Sequence, residues 1–319
     1  MKVRIGTFNA ENLFARFRFK GKRVKKAGKY VYEKFTDTEL RKISEDGWSV
    51  EETFFKEFSP EERSLTGAAV READADILGL EEIESMDTLK KFVSRHLANL
   101  DYTYKVLMDA NDPRFIDVAL LVRKKFSIDY ILTHQFERTA DNKSYVFSRD
   151  CLEVGLRLSQ NTVLPVFVNH FKSMLGGRAQ TMARRKVQAQ KVVQILKARF
   201  GANPGTKAWV VVGDLNDYLP SSGLAPLLGQ PWAVNVIERI PNAQDRWTHF
   251  FAAKKEYKQL DYILLSKSLA DANPNAFPEI VRQGLPHRAI LYTGPRFPGV
   301  GQNSPKASDH CPVAITIDV

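Results

Sequence analysis

The sequence predicts a mixed α and β fold, a sandwich of sheets with helices outside. Three observations carry that expectation. Short runs rich in Val, Ile and Leu recur along the chain at strand length. Helical segments fall among them irregularly, without the regular βαβ alternation of a doubly wound sheet. Polar residues of catalytic type stand at one end of six of the apolar runs.

Residues 3–8 alternate well enough for a strand leading into Asn9. Residues 16–60 then break the rhythm with aromatics such as Phe17, Tyr30, Trp48 and Phe54 among many charges, and read as an insertion with its own small packing surface. Ser59-Pro60-Glu61-Glu62 is a helix start, and Leu65, Ala69 and Ala73 continue it. It feeds a buried strand at 76–80. Further strands are expected at 102–108, 118–122, 128–133, 151–158, 163–168, 208–212, 262–265 and 313–317. A long helix is expected over 181–200, with Met182, Ala189, Val193, Leu196 and Phe200 on one face and Gly201 and Pro204 stopping it. Residues 271–304, rich in Pro, Gly and Asn, read as a long surface loop preceding Asp309-His310.

Bulk properties narrow the function classes. At 319 residues the chain suits one large β-rich domain spanning 1–319, and a 44% hydrophobic content supports a sizeable core. No run of eighteen apolar residues is present, which argues against a membrane-spanning helix. The N-terminus opens on a strand-like segment with no secretory pattern, so a cytoplasmic protein is expected. Cys151 and Cys311 have no metal-type spacing and read as reduced core thiols. The net charge is +10, from 47 basic and 37 acidic residues. Residues 16–34 hold nine Lys or Arg against one Glu, and 178–199 hold seven with no acid. Such concentration favours a polyanionic partner, with nucleic acid first. A monomer is the expectation, with the oligomeric state left open.

The polar clusters are Asn9 and Glu11, Glu82, Asn169 and His170, Asp214 and Asn216, Asp261, and Asp309 with His310. Singly, each has a bland alternative. Asp at a strand end is often a turn residue, and Asn-x-Glu can cap the next element. Together, carboxylates, amides and imidazoles gathered at strand ends are the material of a metal-assisted hydrolytic site.

Their order is recognisable. Thr-Phe-Asn-Ala-Glu, Leu-Glu-Glu, Val-Asn-His-Phe-Lys-Ser, Gly-Asp-Leu-Asn-Asp, Leu-Asp-Tyr-Ile-Leu and Ser-Asp-His-Cys-Pro-Val resemble the endonuclease/exonuclease/phosphatase superfamily, the deoxyribonuclease I-like group, over nearly the whole chain. The motifs stand nearest to those of its bacterial metal-dependent nucleases. The resemblance implies a four-layered sandwich of two packed mixed β-sheets flanked by helices. It implies Glu82 as principal metal ligand, assisted by Asn9 and Glu11, with Asp309 beside the metal. It also implies His310 as acid-base residue oriented by Asp261, Asp214 aligning or deprotonating the attacking water, Asn216 on a phosphoryl oxygen, and His170 as donor to the transition-state oxygens. Glu11 stands where the family often has Asp.

Oxygen ligands suit Mg²⁺ or Mn²⁺. Zinc is disfavoured, since no helical His pair and no Cys cluster exist. Arg149, Lys172, Arg178, Arg184 and Arg185 are candidate phosphate contacts, because Arg forks and helix N-termini favour anions. Asp117 either approaches the site or anchors a strand-start turn, and Trp247-Thr248-His249 is expected to line the cleft. The leading reading is therefore a divalent-metal phosphodiesterase acting on DNA, with RNA second. The alternatives are a phospholipid or small-phosphoester hydrolase on the same site, and a non-catalytic nucleic-acid-binding protein.

Overall fold

The computed structural model describes residues 1–13 and 60–319, together with the backbone of two short strands between them. Those strands, β2 (Arg18–Phe19) and β3 (Val50–Glu51), pair antiparallel. The rest of the expected insertion lies outside the described residues.

Two six-stranded mixed sheets form the centre. In the first, β1 (Lys2–Leu13) lies between β4 (Ile77–Ile83), parallel to it, and β16 (Val313–Asp318), antiparallel. Beyond β4 come β6 (Asp117–Arg123) and β5 (Tyr102–Leu107), and the two-residue β15 (Glu279–Ile280) edges β16. In the second sheet, β10 (Val210–Asp214) runs parallel to β9 (Thr162–His170) and antiparallel to β14 (Asp261–Ser266). β8 (Cys151–Ser159), β7 (Ser127–Leu132) and β11 (Ala233–Asn235) complete it.

The inner faces meet in one cluster in which Ile5, Ile77 and Leu120 of the first sheet join Val154, Val166, Val212 and Ile263 of the second. Gly79 marks how closely they approach: a Cβ there would lie 2.8 Å from Val212 Cγ2. Helices cover the outer faces. α1 (Pro60–Ala73) and α2 (Met86–His96) pack Leu65, Val70, Leu89 and Phe92 on the first sheet. α3 (Arg178–Phe200) packs Ala189, Val192 and Leu196 on the second. Each sheet has strands that alternate apolar residues inward and outward, and both faces are buried, so their runs read as nearly continuous Val, Ile and Leu. No described helix is long and apolar enough to cross a membrane.

This topology fixes where function can sit. β1, β4, β9 and β10 end, and the antiparallel β14 and β16 begin, at the same end of the sandwich. Five of the six polar clusters are carried directly to that end by these strands, and the sixth precedes β16. Residues 281–304 contain no helix or strand, in line with the expected loop, although 271–280 still hold the end of a helix and β15.

Candidate active site

At that end a group of side chains converges between the sheets. The Asn9 amide donates to Glu82 Oε1 at 3.4 Å and to Asp214 Oδ2 at 3.1 Å. His170 Nε2 lies 3.5 Å from Asp214 Oδ2 and 4.0 Å from Glu82 Oε1. His310 Nε2 lies 3.8 Å from Asp214 Oδ2, while its Nδ1 faces both Asp261 carboxylate oxygens at 3.0 and 3.1 Å. Thus one carboxylate, Asp214, sits within reach of both imidazoles.

Strained backbone aims several of these groups. Glu82 has φ 64° and Asn216 has φ 52°, left-handed values that cost a non-glycine residue of order 1–3 kcal/mol. At Glu82 the pairing of β4 with β6 shifts register, so a bulge turns two successive glutamates to different tasks. Glu82 remains 20% exposed, with Oε2 accepting from the Asn12 amide at 2.9 Å. Glu81 is fully buried and accepts from Thr7 Oγ1 at 2.9 Å. Burial, with Asp261 and Asp214 nearby, pushes the Glu81 carboxyl well above its ordinary range. Gly213, at φ 139°, is required where it stands: a Cβ would lie 1.9 Å from Asn169 O. It brings β10 close to β9 immediately before Asp214.

The electrostatics divide the two imidazoles. Burial, Arg149 and His310 drive His170 well below its ordinary value, so it is neutral. Burial alone would lower His310, yet Asp261 and Asp214 outweigh it and hold the ring well above, in its charged form. Burial raises Asp214 to about 7, with Asp261 adding to the rise while His310 and the Asn216 and Asn9 bonds oppose it.

Secondary contacts lock the His310 corner. Thr248, fully buried, donates to Asp261 Oδ2 at 2.6 Å and accepts from the Asp261 amide at 3.1 Å. Phe250 N donates to Asp309 O and Cys311 N to Thr248 O, which stitches β12 (His249–Phe251) to the chain before β16. Ser308 Oγ donates to Asn9 O at 2.8 Å. Of the expected cleft-lining segment, Thr248 therefore supports Asp261 and His249 faces Asp309, with Nε2 3.5 Å from Oδ2.

Several expected site residues are placed differently. Glu11 does not join Glu82. Its backbone turns left-handed at φ 47°, and its carboxylate binds Lys306 Nζ and accepts the Asp309 amide at 2.7 Å. Burial and the Asp309 charge push Glu11 up to about 8 despite Lys306. Asp309 shares this neighbourhood, on the His249 side. Asn216 does not point free donors into the cleft: its amide binds Asp214 Oδ2 at 2.9 Å and Phe171 O at 3.2 Å, and its backbone N–H binds Asp214 Oδ1. It orients Asp214.

Among the expected phosphate contacts, Arg149 is buried against Asp112 at 2.9 Å and donates to Phe171 O, directly behind His170. Arg185 is fully buried, with Nε 3.0 Å from Asp217 Oδ2 and further bonds to Thr181 Oγ1, Lys172 O and Arg178 O. Neither side chain reaches solvent, so neither can touch a phosphate directly. Arg178 binds Asp217 Oδ1 at 2.6 Å and the Tyr218 and Pro220 carbonyls, and Arg184 binds Ser144 and the Tyr145 carbonyl. Lys172 is half-buried next to His170, and burial with Arg149 and Arg114 lowers its ammonium. Asp117 is an anchor for a turn: it accepts the Ala110 amide at 3.0 Å. Arg114, which no sequence motif marks, shares Asp112 with Arg149 and contributes charge toward Glu82. Its Asn-Asp-Pro-Arg turn carried no distinguishing sequence signal.

A divalent cation fits this donor set. Glu82 offers a partly exposed carboxylate oxygen, and the Asn9 amide, bonded to both groups, sets it beside the buried Asp214 carboxylate. Mg²⁺ and Mn²⁺ take one or two carboxylates and keep several waters, and a cation here would offset the burial that, with the Asp261 charge, raises Asp214. Asn9 Oδ1 is engaged by the Glu11 amide at 3.0 Å, leaving Glu82 as the anchor.

Comparisons with known proteins bear on the fold. A family model described as Endonuclease/Exonuclease/phosphatase family matches residues 37–318. No curated protein matches in sequence. Solved structures of similar fold include a truncated TDP2 of Caenorhabditis elegans, with TM-score 0.60 at 14% identity, covering 100% of this chain and 98% of that one. The human Nocturnin catalytic domain with bound sulfate anion gives 0.60 at 14%, covering 99% and 94%. A mannosyl-6-phosphatase of Bacteroides thetaiotaomicron gives 0.59 at 13%, covering 99% and 100%.

Proposed function

The chain belongs to the endonuclease/exonuclease/phosphatase family, whose members hydrolyse phosphoester bonds, and on that premise we propose that it is a divalent-metal-dependent phosphodiesterase acting on nucleic acid, DNA first. The observation that carries the reading is the placement of Asp214 between a neutral His170 and a charged, Asp261-held His310, with Glu82 alongside.

Each group has a task suited to its state. Asp214, raised toward neutrality, accepts a proton from the attacking water as its oxygen bonds to phosphorus. His310, charged, gives the Nε2 proton to the ester oxygen as the P–O bond breaks. Asp261 holds the ring by Nδ1 and stabilises its charge, the orienting role that a buried carboxylate has in hydrolytic triads. His170, neutral with Nε2 toward the cleft, donates to the phosphoryl oxygens, and buried Arg149 behind it adds fixed positive charge. Glu82 would hold Mg²⁺ or Mn²⁺, whose chemistry when bound is charge neutralisation on the phosphoryl oxygens.

The net charge of +10 supports a polyanionic substrate. A second reading, hydrolysis of a small phosphoester, draws on the similarity to a mannosyl-6-phosphatase. Assays on plasmid, single-stranded DNA, RNA, a chromogenic phosphodiester and a sugar phosphate, with Mg²⁺ or Mn²⁺ and with EDTA, separate these. Cleavage of a nucleic acid that stops with EDTA is expected. Undiminished activity after exhaustive chelation, or turnover of the sugar phosphate alone, would overturn the proposal.

A further inference from the structure

Next to Asp309 a cavity of about 230 Å³ opens between β12 and the segment that precedes β16. One wall is apolar, from Phe251, Ala252 and Pro286, and the floor holds Glu11, Lys306 and Asp309, with Arg288 and Asn303 at the side. The floor is anchored: Lys306 binds the Glu11 carboxylate, and Glu11 binds the Asp309 amide. The far wall is held in place as well, since the His287 and Arg288 amides bond the Gly301 and Gln302 carbonyls at 3.0 and 2.9 Å. Phe251 is 42% exposed, with the His249 ring stacked near-parallel to it at 6.4 Å and 20°.

Resting on the phosphodiesterase reading above, we propose that this cavity is the subsite for one nucleobase of the substrate, stacked on Phe251 next to the scissile phosphate. Three features favour a base. The volume is below the roughly 300–1,000 Å³ of pockets for drug-sized ligands, so it suits a single ring system. Lys306 is committed to both oxygens of the Glu11 carboxyl group, so it is not free to hold a second phosphate. The exposed aromatic face gives a stacking platform, and Asn303 and the carboxylates offer partners to the edge of a ring. The Asp309-His310 corner is common to cavity and candidate active site, so a diester with its phosphate at His310 directs one arm here.

The test compares three esters that all release 4-nitrophenolate in Mg²⁺: methyl 4-nitrophenyl phosphate, thymidine 4-nitrophenyl phosphate linked through its 5′ or 3′ oxygen, and the matching ester of the abasic deoxyribose. For the wild type, one thymidine ester should exceed both the methyl and the abasic ester in kcat/KM by about tenfold or more, the scale of base stacking on one aromatic ring. In Phe251→Ala that ratio should fall toward one, and in Phe251→Trp it should be retained. If the abasic ester matches the thymidine ester, or if Phe251→Ala leaves the ratio unchanged, the subsite is wrong while the phosphodiesterase stands. If no ester is hydrolysed with Mg²⁺ or Mn²⁺, the phosphodiesterase reading falls and the subsite falls with it.

Discussion

Arg185→Met separates a structural arginine from a phosphate-binding one. The wild-type guanidinium is fully buried and joined to Asp217, Thr181 Oγ1 and the Lys172 and Arg178 carbonyls. Methionine keeps the apolar stem and removes every one of these donors. Breaking a buried pair costs about 3–5 kcal/mol. Asp217 retains Arg178, Ser221 Oγ and the Tyr218 amide, so the lower end, about 3 kcal/mol, is expected. At about 1.5 °C per kcal/mol for a chain of 319 residues this lowers Tm by about 4–5 °C at pH 7. The pH dependence carries a sign. Burial would raise the Asp217 carboxyl, yet its bonds to Arg178 and Ser221 and the charge of Arg185 outweigh it and hold the group below its ordinary value. A depressed carboxylate contributes stability above the unfolded value of about 3.9 and loses it as pH falls through the folded value. The gap between wild type and variant should therefore narrow below about pH 4, as scanning calorimetry would show. On duplex DNA the slope of log K against log salt should be unchanged. A variant of wild-type stability whose slope flattens by about 0.9 would place Arg185 on a phosphate and refute the argument.

Other expectations follow from the same geometry. His310→Ala and Asp214→Asn should each lower kcat by about 10²–10⁴ with the fold intact by circular dichroism, and retention of more than about a tenth would remove the assigned proton transfer. Asp261→Asn should lower the His310 pKa in the metal-free protein, because Asp261 is the foremost group raising it; ring NMR titration reads this, and an unmoved value would contradict the pairing. Lys172→Ala, next to His170, should flatten the DNA salt slope by about one, measured by fluorescence anisotropy on a Glu82→Gln background.

Much of the fold was legible because strands buried on both faces leave uninterrupted Val, Ile and Leu runs. The segments 151–158 and 163–168 appear as the pairing β8 and β9, the first one residue longer and the second three. α2 carries little sequence signal: its apolar residues, Leu89, Phe92 and Val93, are few, and its start rests on a Ser85 cap that accepts from the Thr88 amide. The short β11, β12 and β15 have too few residues to show a period, and tertiary pairing defines them.

The site was legible as a set of strand ends and less so as a set of orientations, and the reason is local backbone. Asn9 and Glu11 are two apart in a strand, so strict alternation puts both side chains on one face. The chain instead turns left-handed at Glu11 and Asn12, and pairing with β4 shifts register between Asn9 and Leu13, so Glu11 swings to Lys306. A bulge is not a compositional feature, and no residue in that stretch announces it. Arg185 is a different case, because its placement was readable. Seven basic residues over 178–199 look like one strip, yet Arg185, Gln188, Ala189, Val192 and Leu196 follow helical spacing, and that face is buried. An arginine in phase with the apolar residues of its helix has to find partners inside the protein. Here they are Asp217 and the carbonyls that hold the start of α3 next to Lys172, so its influence on the cleft passes through structure rather than through contact.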